Sequence, residues 1–176
     1  MNLNKVPSDS DAATYYANAQ TALGQGDVIN GIAQLTKAIA LDDSHSEARL
    51  LRAQILLKLG DIKGAGDDCE WLMAHTENRE DVLMLAARIA TAKGDANAAI
   101  NIYNKVTELN PALTAAYAER GRIYYNQGQH AEAKADMLKV LELNPQQMAD
   151  VSGEYSANGV EHKAKKAFSN LNPLGL

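Results

Sequence analysis

The sequence predicts an all-α protein built from four helical hairpins in a row. Alanine, which has the highest intrinsic helix propensity, is abundant along the chain, and apolar β-branched residues do not alternate with polar ones as they do in strands. A glycine followed by Asp or Gln recurs every 34 residues without an insertion, at Gly26, Gly60, Gly94 and Gly128. A strict period of this length indicates one supersecondary unit that is repeated four times.

Residues of matching size recur at fixed distances from each glycine. Two positions are small, and we expect the two helices of a hairpin to cross closely there: Ala19, Ala53, Ala87, Gly121, Gly31, Ala65, Ala99 and Ala133. Two further positions are mostly larger and apolar, and should fill the space beside the crossing: Leu35, Cys69, Tyr103, Met137, Ala38, Leu72, Val106 and Val140. The repeat therefore predicts both the helix pairs and their core.

The same pattern predicts the helices in order. The first helices of the hairpins are expected near 11–24, 45–59, 79–93 and 113–127, and the second helices near 28–41, 62–75, 96–109 and 130–143. Each repeated glycine should end a first helix in the left-handed conformation, and the Asp after it should cap the second helix. Ser44 and Glu47 have the spacing of a capping box at the start of the third helix.

These units resemble the tetratricopeptide repeat family, whose 34-residue signature sets an aromatic residue, Gly, Tyr, Ala, Phe, Ala and Pro at fixed spacings. The second copy departs most, with Arg49 at the aromatic position and Glu77 at the proline position. The fourth copy matches best, through Tyr117, Gly121, Tyr124, Ala133, Met137, Val140 and Pro145. The resemblance covers residues 12–145 and implies a right-handed α-α superhelix whose repeats span about 12–45, 46–79, 80–113 and 114–147.

The resemblance also implies a binding surface. In this family the first helices of successive hairpins line a concave groove that holds a peptide or helix of a partner protein. The expected groove residues are Tyr16, Gln20, Leu50, Gln54, Leu57, Met84, Arg88, Arg122, Tyr125 and Asn126, with Thr91 and Glu119 beside them. The clamp of Lys and Asn that some members use for chaperone C-termini is absent, because its positions hold Tyr16, Gln20, Leu51, Asp81 and Leu85.

Arg88 and Arg122 occupy the same position of adjacent repeats, so we expect them to be neighbours. Two guanidinium groups side by side repel each other unless an anion lies between them. A carboxylate of a ligand is one candidate, since it can bind a guanidinium through two hydrogen bonds. The alternative is a surface ion pair with Glu119 or Asp81.

Two segments flank the repeats. Residues 1–11 form a polar N-terminal extension, and Asn158–Gly159 interrupts any long helix in residues 146–176. A row of hairpins exposes the apolar face of its last unit, so we expect a capping helix over Val160–Ser169. The apolar tail Asn170–Leu176 either covers the same hairpin or enters the groove of a neighbouring molecule.

No motif for catalysis or for a cofactor occurs in the sequence, and we expect a protein that is not an enzyme. The histidines lack a second ligand at metal-binding spacing, so no metal site is expected. Cys69 should be a buried apolar residue, and Asp67, Asp68 and Glu70 a solvated helix face. Trp71, which lies among them, either packs sideways on a neighbouring hairpin or marks a second contact surface.

The charge balance limits the class of partner. The net charge is −5, with 13 acidic and 8 basic residues in 1–88 and 9 of each in 89–176, which argues against nucleic acid. No apolar run is long enough to insert into a membrane, and a single cysteine fits a cytoplasmic protein. We expect a scaffold or adaptor that binds a protein or peptide. The alternative is a self-associating structural protein, a homo-oligomer joined through its ends or its tail.

Overall fold

The computed structural model describes residues 11–77 and 79–144, and all regular secondary structure in this part of the chain is α-helical. The helices are α1 (Ala12–Gly24), α2 (Val28–Leu41), α3 (Ser46–Lys58), α4 (Ile62–His75), α5 (Glu80–Ala92), α6 (Ala96–Leu109), α7 (Thr114–Asn126) and α8 (His130–Leu143). The predicted capping helix and apolar tail lie outside the described residues, as does most of the N-terminal extension.

The helices are grouped in two compact units. The first unit ends at Asn78 and contains α1 to α4, and the second begins at Arg79 and contains α5 to α8. In the first unit α1 packs on α2, α2 on α3 and α3 on α4. The second unit repeats this order, with α6 between α5 and α7 and with α8 on α7. Each unit therefore consists of two antiparallel hairpins, joined through the second helix of one and the first helix of the next.

The turn inside each hairpin depends on its glycine. Gly26, Gly60, Gly94 and Gly128 have φ between +75° and +82°. In the first hairpin the N–H of Asp27 donates to the carbonyl of Ala22 at 2.9 Å, and the N–H of Gly26 donates to that of Leu23 at 3.0 Å. This is a Schellman motif, which satisfies carbonyl groups at the end of the helix.

The residue after the glycine caps the second helix in three of the four hairpins. A carboxylate oxygen of Asp27 accepts the N–H of Asn30 at 3.1 Å, and Asp61 and Asp95 do the same three residues ahead. The side chain of Gln129 makes no such bond. The predicted bounds of the second helices are confirmed at both ends. This turn determines where each of them begins.

The predicted capping box at Ser44 and Glu47 is wrong. The cap of α3 is His45, whose Nδ1 accepts the N–H of Ala48 at 3.3 Å. Ser44 instead donates its hydroxyl and its backbone N–H to Asp42 Oδ1, at 2.6 and 3.0 Å. A carboxylate two residues away is a strong acceptor, and it holds the Ser44 side chain in the preceding turn.

The core lies where the repeat pattern predicts it. Every small and large position named above is buried. Leu35, Leu72, Val106 and Val140, with Tyr103, are among the largest side chains that are fully enclosed. The small residues let the two helices of a hairpin approach each other, and the large ones fill the space beside the contact.

Candidate functional site

Arg88 on α5 and Arg122 on α7 meet at the carboxylate of Glu119. The Nη2 of Arg122 donates to Glu119 Oε2 at 2.8 Å, and the Nε of Arg88 lies 3.9 Å from Glu119 Oε1. Both arginine side chains are about one-third exposed, at 35% and 36%, whereas that of Glu119 is 11% exposed. Two cations at the surface of the second unit therefore share one anion.

Tyr103 on α6 lies near these three charged groups. Its side chain is buried, and its hydroxyl makes no hydrogen bond of standard geometry within the described residues. Burial and the nearby Glu119 carboxylate raise the pKa of Tyr103, while Arg88, Arg122 and Thr91 act in the opposite direction. The hydroxyl thus stays protonated at neutral pH.

Asp81, the other predicted neutralising group, pairs elsewhere. Its Oδ2 accepts from Nη2 of Arg79 at 2.7 Å, and its Oδ1 accepts the N–H of Val82 at 2.9 Å. These bonds to Arg79 and Val82 lower the pKa of Asp81, because they favour the ionised form. Glu119 is therefore the carboxylate that the fold places between the two arginines.

The remaining predicted residues of the second unit differ in exposure. Tyr125 is half-buried, with its ring centroid 5.4 Å from that of His130, and Asn126 at the end of α7 is exposed. Met84 is 8% exposed and belongs to the same apolar cluster as Leu83 and Ala87. The expectation that Met84 lies on an open surface is therefore wrong, because the side chain is enclosed in the core.

The first unit carries the other predicted residues on α1 and α3. Leu50, Gln54 and Leu57 on α3 are half-buried. Tyr16 on α1 is half-buried too, with its ring 5.0 Å from that of His45, whereas Gln20 is exposed. The first helices of this unit thus present aromatic, aliphatic and amide groups that are partly open to solvent.

The interpretation of Asp68 as part of a solvated face is wrong. Asp68 is 3% exposed and accepts two hydrogen bonds from Arg52 of α3, at 2.7 and 2.8 Å. Arg49 lies 3.5 Å from the same carboxylate, and Arg52 also donates to Thr36 of the preceding hairpin at 3.1 Å. Removing a carboxylate from water costs free energy. Hydrogen bonds and ion pairs to its oxygens are needed to offset that cost.

An equivalent network occurs in the second unit. Arg120 of α7 donates two hydrogen bonds to Asp136 of α8, at 2.6 and 2.9 Å, and a third to Asn104 of α6 at 2.7 Å. Arg52 and Asp68 are 16 residues apart, as are Arg120 and Asp136, and the two pairs occupy the same repeat positions. This recurrence is a signal in the sequence that is visible only when charged residues are compared in pairs between repeats.

Trp71 makes an aromatic and a cation–π contact within its own hairpin. Its ring is stacked on that of His75, with centroids 4.1 Å apart, and the guanidinium of Arg49 lies 4.3 Å from its centroid. Arg49 therefore bridges Trp71 and Asp68, and its cationic side chain covers the aromatic face. Cys69 is buried, as predicted.

Metal centres and membrane-spanning helices are two other classes of site to consider in the described residues. No group of three or more His, Cys, Asp or Glu side chains in residues 11–77 and 79–144 is placed to hold a metal ion. Within the same ranges, none of the helices has the length and apolar character that crossing a membrane requires.

Sequence models of the tetratricopeptide repeat match most of the described chain, at residues 16–70, 80–113 and 114–147. The chain belongs to the tetratricopeptide repeat family. The predicted all-α fold of tetratricopeptide hairpins is thereby confirmed, and the matched segments include Arg88, Glu119 and Arg122.

Solved structures of this family are similar to the chain. A crystal structure of MamA matches with a TM-score of 0.71 and 21% identity over 80% of this chain and 82% of that one. MamA from Desulfovibrio magneticus RS-1 gives 0.73 and 20%, covering 79% and 78%. A thermophilic TPR protein from Thermus thermophilus gives 0.67 and 16%, covering 92% of both chains. No curated protein matches the sequence. At these identities the likeness shows the fold alone.

Proposed function

We propose that this tetratricopeptide repeat protein is a non-catalytic binding module that holds a peptide segment or helix of a partner protein against its first helices. Each unit has its own proposed surface. That of the second unit, which we call the arginine surface, comprises Arg88, Thr91, Glu119, Arg122 and Tyr125. That of the first unit, which we call the aliphatic surface, comprises Tyr16, Gln20, Leu50, Gln54 and Leu57.

The observation that carries the proposal is the incomplete pairing of Arg88. Arg122 donates a hydrogen bond to Glu119, whereas Arg88 makes none within the described residues and approaches Glu119 only to 3.9 Å. A partly buried guanidinium has lost part of its hydration, and an unmade hydrogen bond there costs free energy. The Arg88 side chain is 35% exposed, so a partner can supply an acceptor to its guanidinium, and the arginine surface is suited to binding.

The composition of the aliphatic surface supports the same function. Leu50 and Leu57 are half-buried on α3, with Gln54 between them. Apolar side chains supply affinity when a peptide covers them, and amide groups fix its register by hydrogen bonding to its backbone. Protein binding also agrees with the family to which the chain belongs.

Capture of partners from the cell of origin tests this proposal. The wild-type protein, Arg88→Ala plus Arg122→Ala, and Leu50→Asp are immobilised, and bound proteins are compared by quantitative mass spectrometry. We expect each variant to lose partners that the wild type retains, because each variant disrupts one of the two proposed surfaces.

Matched variants control for charge and hydrophobicity alone. Lys105→Ala plus Lys134→Ala removes two positive charges from exposed positions of second helices, and Leu138→Asp places a carboxylate at an exposed second-helix position. Both controls should keep the partners. Partners that survive the changes at Arg88, Arg122 and Leu50 would show that another surface binds them.

A further inference from the structure

We propose that Arg88 recognises a carboxylate on the partner segment and that Glu119 of the chain itself occupies part of this site in the unbound protein. This inference deepens the proposed function and rests on it. The partner it requires is a peptide segment with an acidic side chain next to apolar ones. It assigns different roles to the two arginines, which occupy the same position of their repeats.

The geometry separates the two arginines. Glu119 lies on the same helix as Arg122, three residues before it, and their contact is a direct hydrogen bond of 2.8 Å. Arg88 approaches from α5, and its Nε remains 3.9 Å from the other carboxylate oxygen. Arg122 is thus already engaged, and Arg88 has hydrogen-bond donors available for a second carboxylate.

Two buried polar atoms lack a hydrogen-bond partner in the described residues. They are the Nε of Arg88 and the hydroxyl of Tyr103. Arg88, Arg122 and Glu119 lie near enough to Tyr103 for their charges to act on its pKa. Thr91 beside it donates its own hydroxyl to the carbonyl of Ala87 at 2.9 Å. The Arg88 side chain is 35% exposed, so the rest of its guanidinium can donate to a carboxylate that binds from outside.

The charge of the site limits the ligand to one negative charge. Two guanidinium groups and one carboxylate leave a single positive charge among Arg88, Arg122 and Glu119. A carboxylate neutralises that charge, whereas a doubly charged phosphate would exceed it and be repelled by Glu119 at close range. Half-exposed Tyr125 lies on the arginine surface and suits an apolar neighbour of the acidic residue.

The test uses two synthetic peptides that differ only in charge. Acetyl-Leu-Glu-Leu-amide and acetyl-Leu-Gln-Leu-amide are titrated into the isotope-labelled full chain, and the backbone and arginine Nε–H signals are followed by NMR. We expect the acidic peptide to move the Arg88 Nε–H signal and to bind more tightly than the amide peptide, by about three- to tenfold at low salt. This preference should shrink as the salt concentration rises.

Glu119→Gln provides the decisive variant. Removing the internal carboxylate frees Arg88 and Arg122 for the ligand, so the acidic peptide should bind about two- to fivefold more tightly than to the wild type. Arg88→Ala should abolish the preference for the acidic peptide. A purely structural Glu119 would give the opposite result, because its loss would loosen Arg122 and weaken binding.

Control variants and the pattern of shifts complete the experiment. Glu108→Gln and Lys105→Ala change the same charges on the exposed side of α6 and should leave both affinities unchanged. Equal binding of the two peptides at first-helix residues would overturn the carboxylate inference and leave the proposed function standing. Weaker binding to Glu119→Gln, or a phosphoserine peptide that binds more tightly than the acidic one, would also overturn it. An absence of any shift on α5 and α7 would count against both proposals.

Discussion

At the scale of single residues, backbone conformation decides what the repeated glycines do. Gly26 has φ +80° and Gly24, two residues before it, lies in the last turn of α1. A Cβ at either position would meet no atom within 4 Å. Any difference between their alanine variants therefore comes from the backbone and not from packing.

This pair gives a prediction with opposite signs. Gly26→Ala should destabilise the protein by about 1–2 kcal/mol, because an L-residue is strained in the left-handed region. Gly24→Ala should stabilise it by about 0.5 kcal/mol, since alanine has the higher helix propensity and a less flexible unfolded chain. Urea denaturation of the two variants measures both changes. A loss of stability for Gly24→Ala would show that this position is not limited by backbone entropy.

Tyr103 gives a second prediction at this scale. Burial and Glu119 raise the pKa of Tyr103. A tyrosine in the unfolded chain has a pKa of about 10, so it loses its proton at a pH at which the folded state still keeps it. The contribution of Tyr103 to stability is therefore complete below about pH 10 and declines as the pH rises above it. Tyr103→Phe should make the melting temperature less sensitive to pH in that range than the wild type. An equal decline in both proteins would contradict the burial of a protonated hydroxyl. Tyr124→Phe, at a half-buried position, is the matched control.

At the scale of elements, buried ion pairs join the two helices of a hairpin, and the same arginines donate hydrogen bonds to the preceding hairpin. Arg120 on α7 binds Asp136 on α8 and Asn104 on α6, and Arg52 on α3 has the same role in the first unit. Burying such a pair costs desolvation free energy. Its hydrogen bonds are directional, so the guanidinium is fully hydrogen-bonded only when the three helices are in the correct register. We infer that these networks help to specify how consecutive hairpins pack.

Breaking one pair should have a large effect. Asp136→Asn leaves Arg120 without its counter-ion in a mostly buried position and should cost about 3 kcal/mol. Glu142→Gln on the same helix breaks an exposed pair with Lys139 and should cost less than about 1 kcal/mol. Chemical denaturation compares the two variants. Replacing both partners, as in Arg120→Met plus Asp136→Leu, should recover much of the loss, and similar costs for Asp136→Asn and Glu142→Gln would mean that the pair is effectively solvated.

At the scale of the whole molecule, the open question is whether the chain binds partners alone or as an assembly. The proposed binding function needs one copy of the chain. The alternative, self-association, uses the ends of the row of hairpins or the apolar tail Asn170–Leu176, which lies outside the described residues. The two functions differ in how the mass in solution depends on concentration.

Light scattering over a wide range of concentrations separates these functions. The binding proposal predicts the mass of one chain throughout, because no second copy is needed to complete either surface. Self-association predicts a mass that grows with concentration, and association through the tail predicts that the mass falls back when residues 170–176 are deleted. A concentration-dependent mass that survives this deletion would place the contact elsewhere on the molecule.

The sequence by itself determined the hairpins, their boundaries and their core. The 34-residue spacing of Gly26 and its equivalents was sufficient, since a left-handed turn and a helix cap are local and the size pattern repeats in every unit. The cap at His45 was not predicted. Ser44 does not cap the helix because its hydroxyl donates to Asp42, a local acceptor in the preceding turn.

Only the tertiary structure decided which charged groups meet. It buries Asp68 under Arg52, encloses Met84 in the core and sets Glu119 rather than Asp81 between Arg88 and Arg122. Periodicity indicates which face of a helix a residue occupies. The strength of an ion pair depends instead on distance and burial, which are fixed only when helices far apart in sequence pack together.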